Sequence, residues 1–293
     1  EWSALARLVG IRAGWLASHS TRVKVNWRAD SYRADAFNRQ YEEGSYPSGI
    51  FSEVPAERML DDLEELHDRW GFDAVRFHDA NWGVSEKRAR GFAEGMLNRD
   101  LKFGWNCFIE THAILQYKPD TLDMMADSGM YVHEMGAEAG EDDMMKIIGK
   151  PIHGEDNVQA AVEMDRRGIQ GSITYIVGYP GESEESMMST LDQCLRVHNA
   201  APLSRPNAWP YRPIPGTPMW DQAVDLGYEG PTSLPEWGSI GEDHLEETWP
   251  GNIPERVAAV RQSLVAEDLA TLHGFTADAT DQGADVVAGF TAI

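Results

Sequence analysis

Short apolar segments alternate with longer segments of helical periodicity between residues 55 and 211. Residues 55–70 carry apolar side chains at helical spacing, and residues 171–179 (GSITYIVGY) are rich in β-branched residues, as buried strands are. The other predicted strands are residues 72–79, 102–110 and 130–138, and the other predicted helices are residues 85–98, 118–129, 183–198 and 254–273. Repeated strand–helix units predict a parallel sheet covered by helices. With VKVNW (23–27) as the first strand and residues 203–211 as the last, the sheet has six strands, in an open sheet or an incomplete barrel.

Polar residues follow several predicted strands at the point where each strand ends. They are His78 and Asp79, Glu110 to His112, Gly136 to Glu138, Gly178 to Glu182, and Tyr211. Because ligands bind beyond the carboxyl ends of parallel strands, we expect the site at this edge. Two histidines and a carboxylate of this set would also suit ferrous iron or zinc, although neighbouring strand residues point to opposite faces.

The chain is strongly acidic, with 48 Asp and Glu residues against 25 Lys and Arg and a formal net charge of −23. Such a surface repels nucleic acid and anionic membranes, so a small-molecule ligand is the expected partner. An acid-rich, lysine-poor surface is also typical of proteins from a salty cytoplasm. An acidic protein at ordinary salt is the alternative.

Two cysteines, Cys107 and Cys194, lie far apart, which argues against a disulfide scaffold and favours a reducing, cytoplasmic location. No apolar run reaches the roughly 18 residues of a membrane span. The strand–helix pattern predicts an N-terminal helical segment at 1–20, an α/β region at 21–220, and a C-terminal extension at 221–293.

A strand leads directly into a glycine turn at YIVGYPGES, residues 175–183. Glycine lets backbone approach a ligand closely, and a helix start supplies free N–H groups; an ordinary strand–helix turn is the alternative. The neighbouring segments are FHDANW (77–82), GAEAG (136–140), IIGKPIHGEDNVQAA (147–161) and YRPIPGTPMW (211–220). In this order and at these separations, the chain resembles the radical S-adenosylmethionine (SAM) superfamily, and within it the cobalamin-associated branch.

The resemblance implies a partial (β/α)6 TIM-like barrel of the radical SAM type with a C-terminal loop and helix extension. It also implies methyltransferase-like activity, with SAM lying across the carboxyl ends of the strands. The cofactor-contacting residues it implies are Gly136, Glu138, Ile176, Gly178 and Tyr211. Glu138 corresponds to the position that contacts the ribose or the methionine end, and the last three correspond to positions beside the adenine.

Asp79 corresponds to the acidic residue that often follows the second strand of the family, where its role varies with the substrate. We therefore expect Asp79 to contact the substrate.

The cluster motif of the family, CxxxCxxC, has no counterpart in the segment TRVKVNWRAD (21–30), where Val25 and Arg28 stand at the second and third cysteine positions. A four-iron four-sulfur cluster needs three thiolates, and neither valine nor arginine ligates iron. Cys107 and Cys194 lie on separate predicted elements, and we expect both to be small buried side chains. The sequence therefore does not support the cluster, and cobalamin is expected only through a further domain or a partner.

Three interpretations follow from the missing motif. The chain is an enzyme that binds SAM and performs non-radical chemistry such as polar methyl transfer, or it is an inactive pseudoenzyme that serves as partner or regulatory subunit of an intact homologue. A chain altered or trimmed from an active parent is the third. Hydrolase, P-loop and zincin motifs are absent from the sequence.

Overall fold

The computed structural model describes Thr21–Val23 and residues 51–79, 81–150, 152–239, 249 and 251–272. The strands are β1 Thr21–Val23, β2 Phe51–Glu53, β3 Ala74–Arg76, β4 Gly104–Phe108, β5 Met130–Glu138, β6 Gln170–Val177 and β7 Arg205–Pro210. The helices are α1 Ala56–Trp70, α2 Glu86–Asn98, α3 Thr111–Gln116, α4 Pro119–Asp127, α5 Asp142–Ile147, α6 Gly154–Asp165, α7 Glu184–Ala200, α8 Pro218–Asp225, α9 Leu234–Ser239 and α10 Glu255–Leu272.

Strands β3 to β7 form one parallel sheet, in the order β3-β4-β5-β6-β7. Strands β1 and β2 form a separate antiparallel pair. The predicted α/β class and the five later strands are confirmed. Residues 24–27 of the predicted first strand lie outside the described residues, and its Val23 ends β1.

Side chains at the helix starts explain where the main helices begin. The Ser85 hydroxyl accepts a hydrogen bond from the Arg88 backbone N–H at 3.3 Å and so caps α2. At the start of α7, the Ser183 hydroxyl accepts from the Ser186 N–H at 3.1 Å. Helix α1 ends at Gly71, whose φ of +60° is readily adopted by glycine.

The chain divides into two compact units. Unit 1 comprises residues 1–135 and 159–172, and unit 2 comprises residues 136–158 and 173–293. In the core of unit 1, the rings of Trp82, Phe92 and Trp105 lie 5.1 to 5.5 Å apart between centroids. Such aromatic pairs add to the stabilisation that burial of their area provides.

Unit 2 has its own apolar cluster beside the end of β5. Its buried members are Ala139, Met144, Met145 and Tyr179, and Ile148, Ile152, Ile176, Tyr211 and Met219 pack against them. Helix α10 packs on α7 and β7 of the same unit, with Val257 fully buried and the Arg261 Nη1 donating to the Ala208 carbonyl at 3.3 Å.

None of the helices in the described part of the chain is both long enough and apolar enough to cross a membrane.

Candidate functional site

Glu138 is the last residue of β5 and has a φ of +64°. Glutamate rarely adopts this left-handed conformation, which costs on the order of 1–3 kcal/mol. Among the described residues, Asp100 is the other non-glycine residue with a positive φ. Strain of this kind persists where surrounding contacts hold the residue, and it concentrates at functional sites.

Lys150 holds the Glu138 carboxylate in place. The Lys150 Nζ lies 3.1 Å from Glu138 Oε1 and also donates to the Gly136 carbonyl oxygen. The two side chains are 26% and 22% exposed for Glu138 and Lys150, respectively, so both remain accessible to a ligand. A side chain at Gly136 would overlap Glu138 Oε1 and approach Lys150 Nζ to 3.4 Å. A larger residue at 136 would therefore displace the Glu138 carboxylate from its present position.

Sequence reasoning missed Lys150. It lies in the connector IIGKPIHGEDN, in a chain with only six lysines, and it is flanked by Ile148, Pro151 and Ile152. A cation inside an apolar run of a lysine-poor chain was the available signal, because such a charge is buried at a cost unless it has a partner.

The glycine turn after β6 is held by a buried carboxylate. Glu182 Oε2 accepts hydrogen bonds from the backbone N–H groups of Gly178 at 2.7 Å and Tyr179 at 3.0 Å. The Ser186 hydroxyl donates to Oε1 of the same residue at 2.9 Å. Burial raises the pKa of Glu182, and these hydrogen bonds oppose that rise. Glu182 thus shapes the turn rather than facing a ligand.

The Gly178 position is also covered by a later part of the chain. Gly178 has a φ of +83°, and its carbonyl accepts a hydrogen bond from Asn252 Nδ2 at 2.6 Å. A side chain at Gly178 would meet Asn252 Nδ2 at 2.7 Å and Ile253 at 3.1 Å. The space that a side chain would fill at Gly178 is therefore occupied by the 252–253 segment.

Two tyrosines form an apolar wall in unit 2. The rings of Tyr179 and Tyr211 lie 5.1 Å apart between centroids, and Ile176 packs against the same cluster. Burial raises the pKa of Tyr179, and the negative charges of Glu138 and Glu182 raise it further. The five residues predicted to contact the cofactor thus come together within unit 2, beside Tyr179 and Lys150.

A cavity of about 190 Å3 lies beside Tyr211 in the same unit. Its lining includes Trp249, Asn252, Ile253 and Arg261. Asn252 therefore lies between this cavity and the Gly178 carbonyl, a contact across 74 residues that local sequence patterns do not reveal.

Asp79, the predicted substrate residue, belongs to unit 1 and is only 3% exposed. Its negative charge contributes to the raised pKa of the Cys107 thiol, whose largest cause is burial. Contact between Asp79 and a substrate stays a prediction.

Residues 37–194, more than half of the chain, match the family profile of the Radical SAM superfamily. The chain belongs to the radical SAM superfamily. This match, together with the parallel sheet, confirms the family resemblance and the predicted α/β fold class of the radical SAM type.

Relatives of this radical SAM chain include the uncharacterized methyltransferase PH0819 of Pyrococcus horikoshii, 21% identical over 168 residues, or 57% of this chain and 35% of the relative. The radical SAM methyltransferase TsrM of Kitasatospora setae, solved with tryptophan substrate and the SAM analog aza-SAM, has a TM-score of 0.51 at 16% identity. That alignment covers 60% of this chain and 34% of TsrM. The chain thus spans about a third of these proteins, and the TsrM likeness shows the fold.

The residues of unit 2 fit SAM, the ligand that the radical SAM family implies. Glu138 presents an accessible carboxylate that a ribose hydroxyl or an amino group can reach. Ile176 and Tyr211, which are partly buried, offer apolar surface suited to an adenine ring.

Among the described residues, no set of side chains matches the ligands of the family's iron–sulfur cluster. Cys107 and Cys194 are both buried, and burial raises the pKa of each thiol, so neither offers a ready thiolate. In the part of the chain that the structure describes, no group of three or more His, Cys, Asp and Glu residues is placed to hold a metal ion. Positions 25 and 28, where the motif cysteines would stand, lie outside the described residues.

Proposed function

We propose that this radical SAM chain binds SAM through unit 2 and takes part in non-radical, polar methyl transfer. The observation that carries the proposal is the conformation of Glu138, whose strained backbone, with φ at +64°, directs its carboxylate to Lys150 at 3.1 Å. Strained backbone of this kind is concentrated at functional sites, which supports a use for the carboxylate. The name of PH0819, a methyltransferase, favours methyl transfer as the activity.

Each side chain has a stated part in this proposal. Glu138 accepts a hydrogen bond from a ribose hydroxyl or from the amino group of the ligand, and Lys150 orients the carboxylate. Ile176 and Tyr211 contact the adenine, and Gly178 with Glu182 fixes the turn beside it. When bound, SAM supplies a sulfonium methyl group that a nucleophilic substrate atom can accept without any electron transfer.

The non-radical part of the proposal rests on ligand count. A family-type cluster needs three thiolates, and the 293 residues contain two cysteines, both buried. Cobalamin in this proposal comes from a further domain or from another protein.

A second candidate function is that of a pseudoenzyme acting as partner or regulatory subunit of an intact homologue. The same buried cysteines favour it, because a chain that supplies no cluster ligands depends on another chain for radical chemistry. SAM binding separates the two candidates.

Calorimetric titration with SAM tests the proposal. We expect a Kd in the tens of micromolar, about −6 kcal/mol, because no cluster iron helps to hold the ligand. Glu138→Gln keeps the shape and removes the charge, so it should weaken binding by about 1–2 kcal/mol, roughly 5- to 30-fold. The matched control is Glu155→Gln, which removes the acidic partner of Arg196 from an exposed ion pair of the same unit and should leave the Kd unchanged.

Absence of binding at millimolar SAM would reject the proposed pocket and favour the role as a partner or regulatory subunit. Equal losses in the Glu138 and Glu155 variants would show that the carboxylate at 138 has no particular role. Stable binding of four irons per chain after anaerobic reconstitution would contradict the cluster-free part.

A further inference from the structure

One face of the sheet in unit 1 carries a group of polar and aromatic side chains at the carboxyl ends of β3 and β4. The strand register places Arg76 beside Asn106 and Phe108 beside Glu134. Trp105, which alternates with these residues along β4, is fully buried on the opposite face. Because side chains alternate along a strand and paired residues point to the same side, Arg76, Asn106, Phe108 and Glu134 share the face opposite to Trp105.

The Arg76 guanidinium is fixed on two sides. Its Nη2 lies 2.5 Å from Glu134 Oε2, and its Cζ lies 5.9 Å from the centroid of the Phe108 ring. The Glu134 side chain is 11% exposed, whereas that of Arg76 is 46% exposed. Within the described ranges, Glu134 is the acidic partner of Arg76, and it contacts one of the terminal nitrogens, Nη2. The contacts therefore hold a guanidinium with part of its donor fork available.

Asn106 adds an amide to the same face. Its Oδ1 is buried and has no hydrogen-bond partner among the described residues. A buried amide oxygen without a partner is unfavourable, so a donor supplied by a ligand would improve its position.

We propose that Arg76, Asn106 and Phe108 bind the carboxylate or phosphate group of a small anionic substrate. Arginine matches the planar geometry of such oxyanions and stacks on aromatic rings, and the carboxyl ends of parallel strands are where α/β proteins bind ligands. Glu134 positions the guanidinium through its ion pair. The assignment of these residues to a substrate rests on the proposed methyl transfer. The proposal that they bind an anion does not depend on that function.

Ligand-observed fluorine NMR tests the inference with para-fluorobenzoate, para-fluorophenyl phosphate and the neutral para-fluorobenzamide. We expect at least one of the two anions to bind and the benzamide to bind at least about tenfold more weakly, because it lacks the charge. Binding of one anion alone identifies the substrate class as a carboxylate or a phosphate. Binding of the benzamide as tightly as the anions, or of none of the three, would overturn the inference.

Variants locate the binding on Arg76. Arg76→Met should raise the Kd of the anion at least about tenfold, and Arg76→Lys, which keeps the charge but loses the fork, by roughly three- to tenfold. The matched control is Arg90→Met, which removes an arginine paired with Glu94 and Asp120 elsewhere in unit 1 and should change nothing. If Arg76→Met does not fold, the Arg76→Lys variant still tests the site. Equal changes in the anion Kd for Arg76→Lys and Arg90→Met would refute the site.

Titration of the Arg76 variants with SAM separates the two proposals. Unchanged SAM affinity with lost anion binding supports both. Anion binding that depends on Arg76 in a chain that does not bind SAM would reject the proposed function and keep the anion site.

Discussion

A single buried histidine should make the stability of unit 1 depend on pH in a defined window. His133 lies in β5, is 0% exposed, and has no hydrogen-bond partner for either ring nitrogen among the described residues. Burial without a partner penalises the imidazolium, which lowers the pKa of His133 from 6.5 to about 4.

The sign and size of the effect follow from these two pKa values. Above pH 6.5 the ring is neutral in both the folded and the unfolded chain, so it contributes no pH dependence. As the pH falls from 6.5 towards about 4, the unfolded chain takes up a proton that the folded chain does not. The free energy of unfolding should then decrease by about 1.4 kcal/mol per pH unit, or about 3 kcal/mol in all. That is a large part of the roughly 5–15 kcal/mol that stabilises a typical domain.

Urea unfolding at a series of pH values, followed by tryptophan fluorescence, to which the buried Trp82 and Trp105 contribute, measures this loss. His133→Leu should be at least as stable as the parent at neutral pH, and its stability should fall by about 3 kcal/mol less on acidification. His78→Leu, at an exposed histidine of the same unit, should follow the parent curve. Parallel curves for the parent and His133→Leu would refute the reasoning, because they would mean that His133 is not buried as a neutral ring.

Three further outcomes are expected. Glu138→Gly should be about 1 kcal/mol more stable in urea unfolding than Glu138→Ala, because both lose the carboxylate and only glycine relieves the φ of +64°; equal stabilities would show that no strain is stored there. Gly91→Ala in α2, where the new Cβ would lie 3.5 Å from Ala56 Cβ, should raise the free energy of unfolding by about 1 kcal/mol. Gly83→Ala would overlap the Ile109 side chain and should lower it by about 1–3 kcal/mol. In calorimetry, the melting temperatures of the two variants should therefore shift in opposite directions. The melting temperature of the parent should climb as molar KCl is added, because salt screens the repulsion within a net charge of −23, and a flat response would contradict that origin.

Local periodicity was enough to predict most of the fold. A β-branched run such as ITYIV is typical of a buried strand, and the apolar spacing of residues 55–70 is typical of a helix with one buried face. Such patterns predicted the five strands of the parallel sheet and their main helices. Periodicity reports nothing about pairing at the chain start, where Thr21–Val23 and Phe51–Glu53 meet in an antiparallel ribbon.

The order of the motifs along the sequence predicted which strand ends form the candidate site, but it did not predict the contacts between their side chains. Glu138 and Gly178 stand at strand ends, which the sequence shows. The sequence marks Lys150 as unusual but does not name its partner, because the path of the chain between the two residues brings the Lys150 Nζ to 3.1 Å from the Glu138 carboxylate. Arg76 and Glu134 are 58 residues apart, and their pairing depends on strand register.

The hydrogen bond from Asn252 to Gly178 also has a consequence for the order in which the protein matures. The two residues are separated by 74 positions, so the donor of the Gly178 carbonyl becomes available only after Asn252 has left the ribosome. Domains fold as units during synthesis, at about 5–20 residues per second, so β6 and its turn are made several seconds before Asn252. The turn beside the candidate site is thus among the last parts of unit 2 to be completed, and a nascent chain halted before this point carries the strands without the finished turn.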